Sequence, residues 1–445
     1  MEKRTLYYNA SIITGSTGRI LIPDGYLLVE GNRIAAVGDG TDGLLPESDV
    51  RHNLCGRIIA PGMISSHCHF YGQFVRGMPL NRPISNWQQV LSRMWWKLDK
   101  KLDREQIYYS AMMGMIEGLK AGTTTYFDHH ASPNFISGSL DVIEEAINLC
   151  GGRGCLAYEV TDRDGEERAL LGIAENMRYI QKNREKNGRF KGIFGLHASY
   201  TLTEETLERC AEAGGGLQTG FHIHMAEHPA DVCDCFKQYD MHVVDRLLGH
   251  GILNEKTITA HNVHLNRPQF EILRQAGVTA AYNGQSNTNN AVGICPAASM
   301  MDAGVRVALG GDGYTYDLFT ELGFAVILQR LRERNCGTFP SGQVLDMVYT
   351  NNQRLAKGVF GYDIGELKAG AAADFLILDY DPPTPLHEGN VLAHMTSGFS
   401  GHVETVVVDG ETVVSGHKAA KVDEAEVFAK CRESAHRLWA ELDND

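Results

Sequence analysis

Ile59–Phe70 reads IAPGMISSHCHF and decides the fold of the chain. A short apolar run leads into two histidines, His67 and His69, that stand one residue apart. In a β-strand, side chains at positions i and i+2 project from the same face, so both imidazoles can reach one point. Imidazole nitrogen is a common ligand of zinc and of similar cations. The pattern indicates a metal site at the C-terminal end of a strand, provided that further ligands follow.

Seven more apolar runs follow this strand and alternate with helical stretches. We expect strands at Thr123–Asp128, Gly154–Val160, Ile193–Ala198, Gly220–Ala226, Thr257–His261, Val278–Asn283 and Val305–Gly310. Helices fit between them: Arg104–Ala121 follows Asp103 as a capping residue, and Thr203–Ala213 opens with a capping pattern. Eight alternating strand and helix units predict an α/β fold, a parallel sheet closed as a (β/α)8 TIM barrel.

Both ends of the chain predict short strands joined by turns. These strands are Leu6–Ile13, Gly25–Glu30, Arg33–Gly38 and Arg57–Ala60 near one end, and Ala373–Leu378 and the hairpin His402–Val414 near the other. Because the termini of a domain often lie close together, we expect residues 1–60 and 365–418 to form one small β-sandwich domain. Residues 61–364 then form the barrel, and Asp423–Leu442 predicts an amphipathic helix in a C-terminal segment, 419–445.

Composition limits the partners and the location. A net charge of −14 without an obvious basic face argues against nucleic acid or an anionic membrane as a partner. Ten cysteines without a C-x-x-C pair favour free thiols in a reducing compartment. We find no apolar stretch of signal-peptide or membrane-span length. We therefore expect a cytoplasmic protein, and a homodimer or higher homo-oligomer as the default for a large enzyme.

Polar residues able to bind metal or to move protons stand at the ends of successive predicted strands, which is the face where barrel enzymes place active sites. After the first pair the order is Asp128-His129-His130, His197, His222, His224, Glu227, His261 and Asp312. On the fifth strand either His222 or His224 could be a ligand, because they share a face. Glu227 follows three residues after His224 and is a candidate proton carrier.

These motifs resemble the metal-dependent amidohydrolase superfamily, in particular its cytosine deaminase, guanine deaminase and chlorohydrolase branch. The matching stretches span nearly the whole chain: Pro61–His69, Arg76–Gly77, Gly122–Thr125, His222–Glu227, Ala260–Leu265, Ser286–Asn287, Leu309–Gly313, Ile364–Asp374 and Val406–Gly410. A closer resemblance is to aminohydrolases associated with selenium-dependent purine metabolism. That resemblance rests on Trp95–Asp99, Asp128–Pro133, Ser286–Asn290 and Pro383–Leu386.

The resemblance implies a metal site and a reaction. One divalent metal, zinc or alternatively iron, would be held by His67, His69, His224 and Asp312. Glu227 would carry protons to the leaving group, while His261 and Asp312 orient and deprotonate the attacking water. The implied reaction is hydrolytic release of ammonia from a purine-, pyrimidine- or pterin-like heterocycle. Alternatives are hydrolysis of a cyclic amide or of a C–Cl or C–S bond, or a scaffold without catalysis.

Substrate contacts are expected from two places. His197 resembles the substrate-contacting histidine of the family, and the loop after the first barrel strand carries Tyr71, Gln73 and Arg76. Three tryptophans, Trp87, Trp95 and Trp96, either pack on a planar ring or belong to the core.

Departures from the family pattern concern the pocket. Gly311 stands where the family usually has a threonine before Asp312, and Gly284-Gln285 replace a usual proline before Ser286. Neither departure removes a metal ligand, but both are expected to change the shape of the pocket and therefore the choice of substrate. The fourth predicted strand contains no lysine that could bridge two metals, which favours a single ion.

Overall fold

The computed structural model describes residues 2–40, 43–185 and 188–442, so residues 443–445 of the predicted C-terminal segment lie outside the described ranges. Its strands are β1 (Arg4–Ile13), β2 (Leu21–Glu30), β3 (Arg33–Asp39), β4 (Val50–Asn53), β5 (Ile58–Pro61), β6 (Met63–Cys68), β7 (Thr123–His130), β8 (Arg153–Tyr158), β9 (Phe190–Gly192), β10 (Phe194–Ala198), β11 (Phe221–Met225), β12 (Ile258–His261), β13 (Thr279–Tyr282), β14 (Arg306–Leu309), β15 (Phe375–Leu378), β16 (Val403–Val408), β17 (Glu411–Ser415) and β18 (Lys418–Ala419).

Its helices are α1 (Trp87–Val90), α2 (Trp96–Leu98), α3 (Arg104–Lys120), α4 (Ser139–Cys150), α5 (Glu166–Asn183), α6 (Glu204–Leu217), α7 (Pro229–Tyr239), α8 (Val243–Gly249), α9 (Arg267–Ala276), α10 (Gly284–Asn289), α11 (Ala297–Asp302), α12 (Leu318–Glu333), α13 (Ser341–Leu345), α14 (Asn352–Phe360), α15 (Val391–Gly398) and α16 (Glu424–Leu442). A wider helical turn, Leu91–Trp95, joins α1 to α2.

The barrel consists of β6 to β14 in chain order, with β9 and β10 as two pieces of one strand interrupted at Ile193. All pairs are parallel, in a four-stranded run, β6 to β9, and a five-stranded run, β10 to β14. Parallel bridges from Val160 to Leu196 and from Cys68 to Asp312 join the two runs at both sides. The predicted (β/α)8 barrel is confirmed.

The predicted helices form because their first turns are capped. Asp103 accepts a hydrogen bond from the Gln106 backbone N–H at 2.8 Å, and the Gln106 side chain accepts one from the Asp103 N–H at 2.9 Å. Helix α6 runs past its predicted end at Ala213 to Leu217. A Cβ on Gly214 would lie 2.4 Å from the Phe221 ring, so the glycine lets the helix pack closely on the next strand.

The two chain ends form one sheet, as the sequence predicts. β5 pairs in parallel with β1 and antiparallel with β15. The sheet also turns back on itself, because the Ile34 N–H donates to the Ala371 carbonyl at 2.9 Å, just before β15. Leu27, Phe375 and Val407 share the resulting apolar core. A sheet folded around its own core is the expected β-sandwich, and we retain the division at residues 60, 364 and 418 as a proposal.

A buried ion cluster links the sandwich to the barrel. The fully buried guanidinium of Arg153, at the start of β8, binds the carboxylates of Asp374 and Asp409, the second at 2.6 Å. Burial opposes the charge of Arg153, but the two carboxylates raise its pKa above the usual value. The ion pairs therefore hold the first residue of a barrel strand against residues that flank β15 and β16.

The C-terminal helix α16 packs on α3 and reaches the loop after β6. The Trp439 indole N–H donates to the Phe74 carbonyl at 2.8 Å, and Lys120 pairs with Glu424 at 2.8 Å. All ten cysteines are free thiols, as the sequence predicts, and seven of them are buried. Among the described residues we find no helix whose length and apolar character would let it cross a membrane.

Candidate active site

Side chains from the ends of β6, β11 and β14 meet at the C-terminal mouth of the barrel. His69 Nε2 lies 3.2 Å from His224 Nε2 and 3.1 Å from Asp312 Oδ1. His67 Nε2 lies 3.5 Å from the same carboxylate oxygen. Two ligands that bind one zinc ion tetrahedrally at its usual bond length are ~3.4 Å apart. The spacing of these atoms therefore fits a single divalent ion.

Hydrogen bonds on the far side of the imidazoles orient their free nitrogens toward the region where the candidate metal donors converge. His69 Nδ1 donates to the His129 carbonyl at 2.5 Å, which leaves the lone pair of Nε2 free. His67 Nδ1 lies 2.8 Å from His222 Nε2. His67 Nε2 is buried without a hydrogen-bond partner among the described residues, a costly arrangement that a cation would relieve. His222 thus stands behind His67, whereas His224 faces the other donors.

The charges around Asp312 also suit a cation. Burial opposes ionisation of Asp312, but the adjacent imidazoles of His67 and His69 hold its pKa well below the usual value. Burial likewise opposes the charge of His69, yet the Asp312 carboxylate raises the pKa of that imidazole to about 9. Acid should therefore compete with metal for these ligands.

His261 is oriented as a base beside Asp312. Its Nδ1–H donates to Asn287 Oδ1 at 2.9 Å, so Nε2 carries the free lone pair. That nitrogen lies 3.9 Å from Asp312 Oδ2 and 4.0 Å from Glu227 Oε2. The Ser286 hydroxyl donates to Asp312 Oδ2 at 2.5 Å and holds the carboxylate in place. The arrangement can take a proton from a water molecule placed between His261 and Asp312.

Strained backbone positions these groups at the strand ends. Ala226, His261 and Asp312 adopt positive φ values of 49°, 75° and 56°, a conformation that side-chain-bearing residues rarely take. The Asp231 carboxylate supports the first of these turns by accepting the Ala226 N–H at 2.8 Å. The turn leaves Glu227 half-buried beside the site, and desolvation of its carboxyl group raises its pKa. A carboxyl group that retains its proton closer to neutral pH suits proton transfer.

A helical segment, residues 87–98, covers the site, and we call it the roof. Its apolar side chains line the cavity: Trp87, Val90, Leu91, Trp95 and Trp96. The Trp87 ring stacks on His228 with their centres 4.6 Å apart. The roof therefore forms one wall of the cavity that lies over the candidate metal donors.

The comparisons with known proteins agree with this geometry. A family model described as the amidohydrolase family matches residues 58–413. The chain belongs to the amidohydrolase family. The membership expected from the strand-end motifs is confirmed, and with it the assignment as a hydrolase acting on carbon–nitrogen bonds.

Curated relatives match this amidohydrolase over nearly its whole length. It is 32% identical to a 5-methylthioadenosine/S-adenosylhomocysteine deaminase from Syntrophomonas wolfei, with 98% of this chain and 99% of the relative covered. It is 28% identical to a 5'-deoxyadenosine deaminase from Methanosarcina acetivorans, with 97% and 98% covered. Both relatives are named as deaminases, the class that the sequence predicts.

Solved structures share the fold. An adenosine deaminase from Xanthomonas campestris with bound zinc superposes with a TM-score of 0.88 at 22% identity, covering 98% of each chain. An atrazine chlorohydrolase from Arthrobacter aurescens, complexed with zinc, gives a TM-score of 0.82 at 22% identity, covering 97% of this chain and 100% of the other. Whole-chain similarity of this kind shows that barrel and β domain occur together in both.

The residues predicted to contact substrate divide into two groups. Tyr71 and His197 line the cavity of the amidohydrolase. Gln73 instead donates to the Tyr316 hydroxyl at 2.8 Å and to the His69 carbonyl at 3.2 Å, so it supports the end of β6. Arg76 points outward and pairs with Glu117 on α3 at 2.6 Å. For Gln73 and Arg76, the structure shows contacts that stabilise the loop, and the substrate contact stays a prediction.

Three cavity-lining carboxylates were not predicted: Glu159, Asp99 and the Asp231 that supports the turn at Ala226. Glu159 directly follows β8, and its Oε2 lies 3.8 Å from His197 Nε2; burial raises its pKa to about 8. Asp99, at the end of the roof, accepts a hydrogen bond from Arg163 at 2.7 Å. Glu159 could have been found, because it is a carboxylate at the end of a predicted strand. Asp99 could not have been found in this way, because it follows the roof helices and does not lie at the end of a predicted strand.

The departure at Gly311 has a steric reason. A Cβ at this position would lie 1.9 Å from the Thr315 carbonyl oxygen. The backbone N–H groups of Gly311 and Asp312 both donate to the His67 carbonyl, at 3.1 and 3.0 Å. The loop after β14 thus folds tightly against β6, and a threonine there would require it to move.

Proposed function

We propose that this amidohydrolase is a hydrolytic deaminase that holds one zinc ion and releases ammonia from an aminated N-heterocycle. The observation that carries the proposal is the close approach of the candidate donors, with His69 Nε2 3.2 Å from His224 Nε2 and 3.1 Å from Asp312 Oδ1, beside the Glu227 and His261 pair. The whole-length relatives named as deaminases support the reaction class. Zinc in preference to iron, a cytoplasmic location and a homodimer or higher homo-oligomer belong to the same proposal, as expected from the sequence.

His261, Asp312 and Glu227 would each have a separate role in the proton transfers. A divalent metal at this site supplies a water molecule whose pKa is lowered toward neutrality. His261 Nε2 accepts a proton from the attacking water, because its Nδ1–H is committed to Asn287. Asp312 Oδ2, held by Ser286, orients that water. Glu227 gives its proton to the ring nitrogen next to the attacked carbon. The proton taken up by His261 then passes to the departing amino group by way of Glu227, whose Oε2 lies 4.0 Å from His261 Nε2, and the hydroxyl proton at the attacked carbon restores the acid form of Glu227.

We further propose that the substrate is a planar ring with hydrogen-bond donors at the edge away from the metal. The roof tryptophans, Trp87, Trp95 and Trp96, offer faces for stacking. Asp99 is 1% exposed, and its Oδ1 has no partner among the described residues. An unpartnered carboxylate oxygen in the wall of the cavity would accept a hydrogen bond from a ring N–H, an amino group or a sugar hydroxyl. Adenosine derivatives, named for the relatives, offer such donors. The closer resemblance to a purine-linked subgroup stays a prediction.

The Asp99→Asn variant tests this contact. We expect KM for the best substrate to rise by about tenfold or more, because a hydrogen bond to a charged acceptor is weakened, while metal content stays unchanged. Asp141→Asn on α4 is the control, since Asp141 pairs with Lys182 at 2.8 Å and is not among the residues that line the cavity. Equal KM values for Asp99→Asn and the unaltered enzyme would contradict the contact. Steady-state kinetics with thermal melting measure both effects.

Metal analysis coupled to an ammonia-release screen tests the function. The screen covers aminated purines, their nucleosides, pyrimidines, pterins and triazines. One zinc per chain with ammonia from one class supports the deaminase. Chloride release or a ring-opened product without ammonia would favour the alternative hydrolyses, and a carefully purified protein without metal would overturn the site.

A further inference from the structure

A second, larger cleft opens at the opposite end of the barrel from the catalytic mouth. It lies between α14 and the residues at the start of β9, β11, β12, β13 and β14, and its volume is about 890 Å³. Ligand sites in proteins usually measure about 300–1,000 Å³. A ligand in this cleft would leave the active-site cavity free.

The cleft is strongly basic although the whole chain carries a net charge of −14. Among the residues that the structure describes, its walls contain a single acidic residue, Glu255, and six cationic residues: Arg184, Lys191, Lys256, Arg274, Arg306 and Arg354. These cations come from five separate stretches of the chain between residues 184 and 354. The fold therefore collects positive charge that is not clustered in the sequence.

Three of these six charges are held in place by groups that do not neutralise them. Lys256 Nζ donates to the Gln218 carbonyl at 3.0 Å, and Lys191 Nζ donates to the Arg184 carbonyl at 2.9 Å. Arg306 Nη2 donates to the backbone carbonyl of Glu255 at 3.2 Å. Backbone carbonyls orient a cation but leave its formal charge unbalanced.

Carboxylate partners are few in the cleft. Arg274 pairs with Glu271 at 2.5 Å, and Arg184 lies 3.8 Å from Glu185. Within residues 2–40, 43–185 and 188–442, Arg354 has no carboxylate at ion-pair distance. Burial together with the nearby charge of Arg354 lowers the pKa of Arg306. Two neighbouring guanidinium groups without a shared carboxylate would both gain from an anion placed between them.

We propose that this basic cleft binds an oligophosphate, the chemistry shared by nucleoside triphosphates and inorganic polyphosphate. Arginine guanidinium groups match pairs of phosphate oxygens in geometry, and lysine adds point charge. Six cations exceed what one carboxylate or one phosphate can engage, whereas a chain of phosphates can contact several of them together. The concave walls favour a small ligand over an extended nucleic acid strand.

Calorimetric titration with tripolyphosphate and with ATP tests the proposal on the full-length, metal-loaded protein. We expect saturable binding that weakens as salt is added, because each phosphate contact releases counterions. In the Arg306→Glu/Arg354→Glu variant the affinity should fall by about tenfold or more. Lys430→Glu/Arg432→Glu is the matched control, because it makes the same charge change on α16 and should bind like the unaltered protein. Arg306→Gln/Arg354→Gln serves as a milder second variant if charge reversal impairs folding.

The outcomes distinguish inorganic polyphosphate from a nucleoside triphosphate as the ligand, and both from metal chelation and from RNA binding. Similar affinities for both probes support a polyphosphate ligand, and tighter binding of ATP supports a nucleoside triphosphate. Because oligophosphates also chelate metals, metal content is measured before and after each titration. Equal binding by both double variants, loss of metal in step with binding, or tighter binding of a short single-stranded RNA would each overturn the proposal. None of these results depends on the deaminase activity.

Discussion

Glu227→Gln should keep about one metal ion per chain while turnover falls by about 10²–10⁴-fold, the usual contribution of a general acid–base group. Glutamine has nearly the same size as glutamate, so the turn after Ala226 can persist. Its amide cannot accept and return a proton at neutral pH. Glu227 Oε2 lies 4.0 Å from His261 Nε2 and outside the group of metal donors, so metal binding should not depend on it.

The measurement is ammonia release per metal-loaded chain, with elemental analysis of the same sample. Glu212→Gln, on the exposed face of α6, is the matched control and should retain full turnover. A Glu227→Gln enzyme with unchanged turnover would remove this residue from the mechanism. Loss of metal in that variant would instead make it part of the binding site.

His224→Ala should lose the metal, whereas His222→Ala should retain it with about 10–100-fold weaker affinity. His224 Nε2 faces the other donors, 3.2 Å from His69 Nε2, so its removal opens the donor set. His222 Nε2 is occupied by the 2.8 Å contact with His67 Nδ1 and acts by orienting that ligand. Loss of an orienting partner usually costs that range of affinity.

Competition with a chelator, followed by elemental analysis, measures the two affinities. Activity restored by added zinc in His222→Ala but not in His224→Ala would agree with the assignment. Metal retained by His224→Ala and lost by His222→Ala would reverse it. The two histidines are alternate residues of β11, so each variant serves as the matched control of the other.

Several site residues could be predicted because the fold repeats. Parallel barrel strands all end at one mouth, so a histidine, glutamate or aspartate at each strand end already places the side chains near one another. His197 and Tyr71 line the cavity for this reason. For Gln73 and Arg76 the substrate contact stays a prediction, and the structure shows the loop after β6 in contact with α3 and Tyr316, which are far away in the sequence.

Other parts of the site depend on contacts that no local pattern records. Asp99 reaches the cavity only because Arg163 holds it from another loop. The sequence did not predict the basic cleft for a similar reason, since its cations are spread over a long stretch of an acidic chain. The roof tryptophans could equally have been core residues, and their place over the site follows from how residues 87–98 pack.

The sequence by itself determined the barrel, the pairing of the two chain ends and the strand ends that carry the chemistry. Periodicity and capping are local properties, and closure of a parallel sheet follows from their repetition. Only the tertiary structure decided which ring nitrogens converge, which carboxylates line the cavity and where positive charge accumulates. These depend on side-chain directions and on distances between residues far apart in the chain, such as the 3.1 Å from His69 to Asp312.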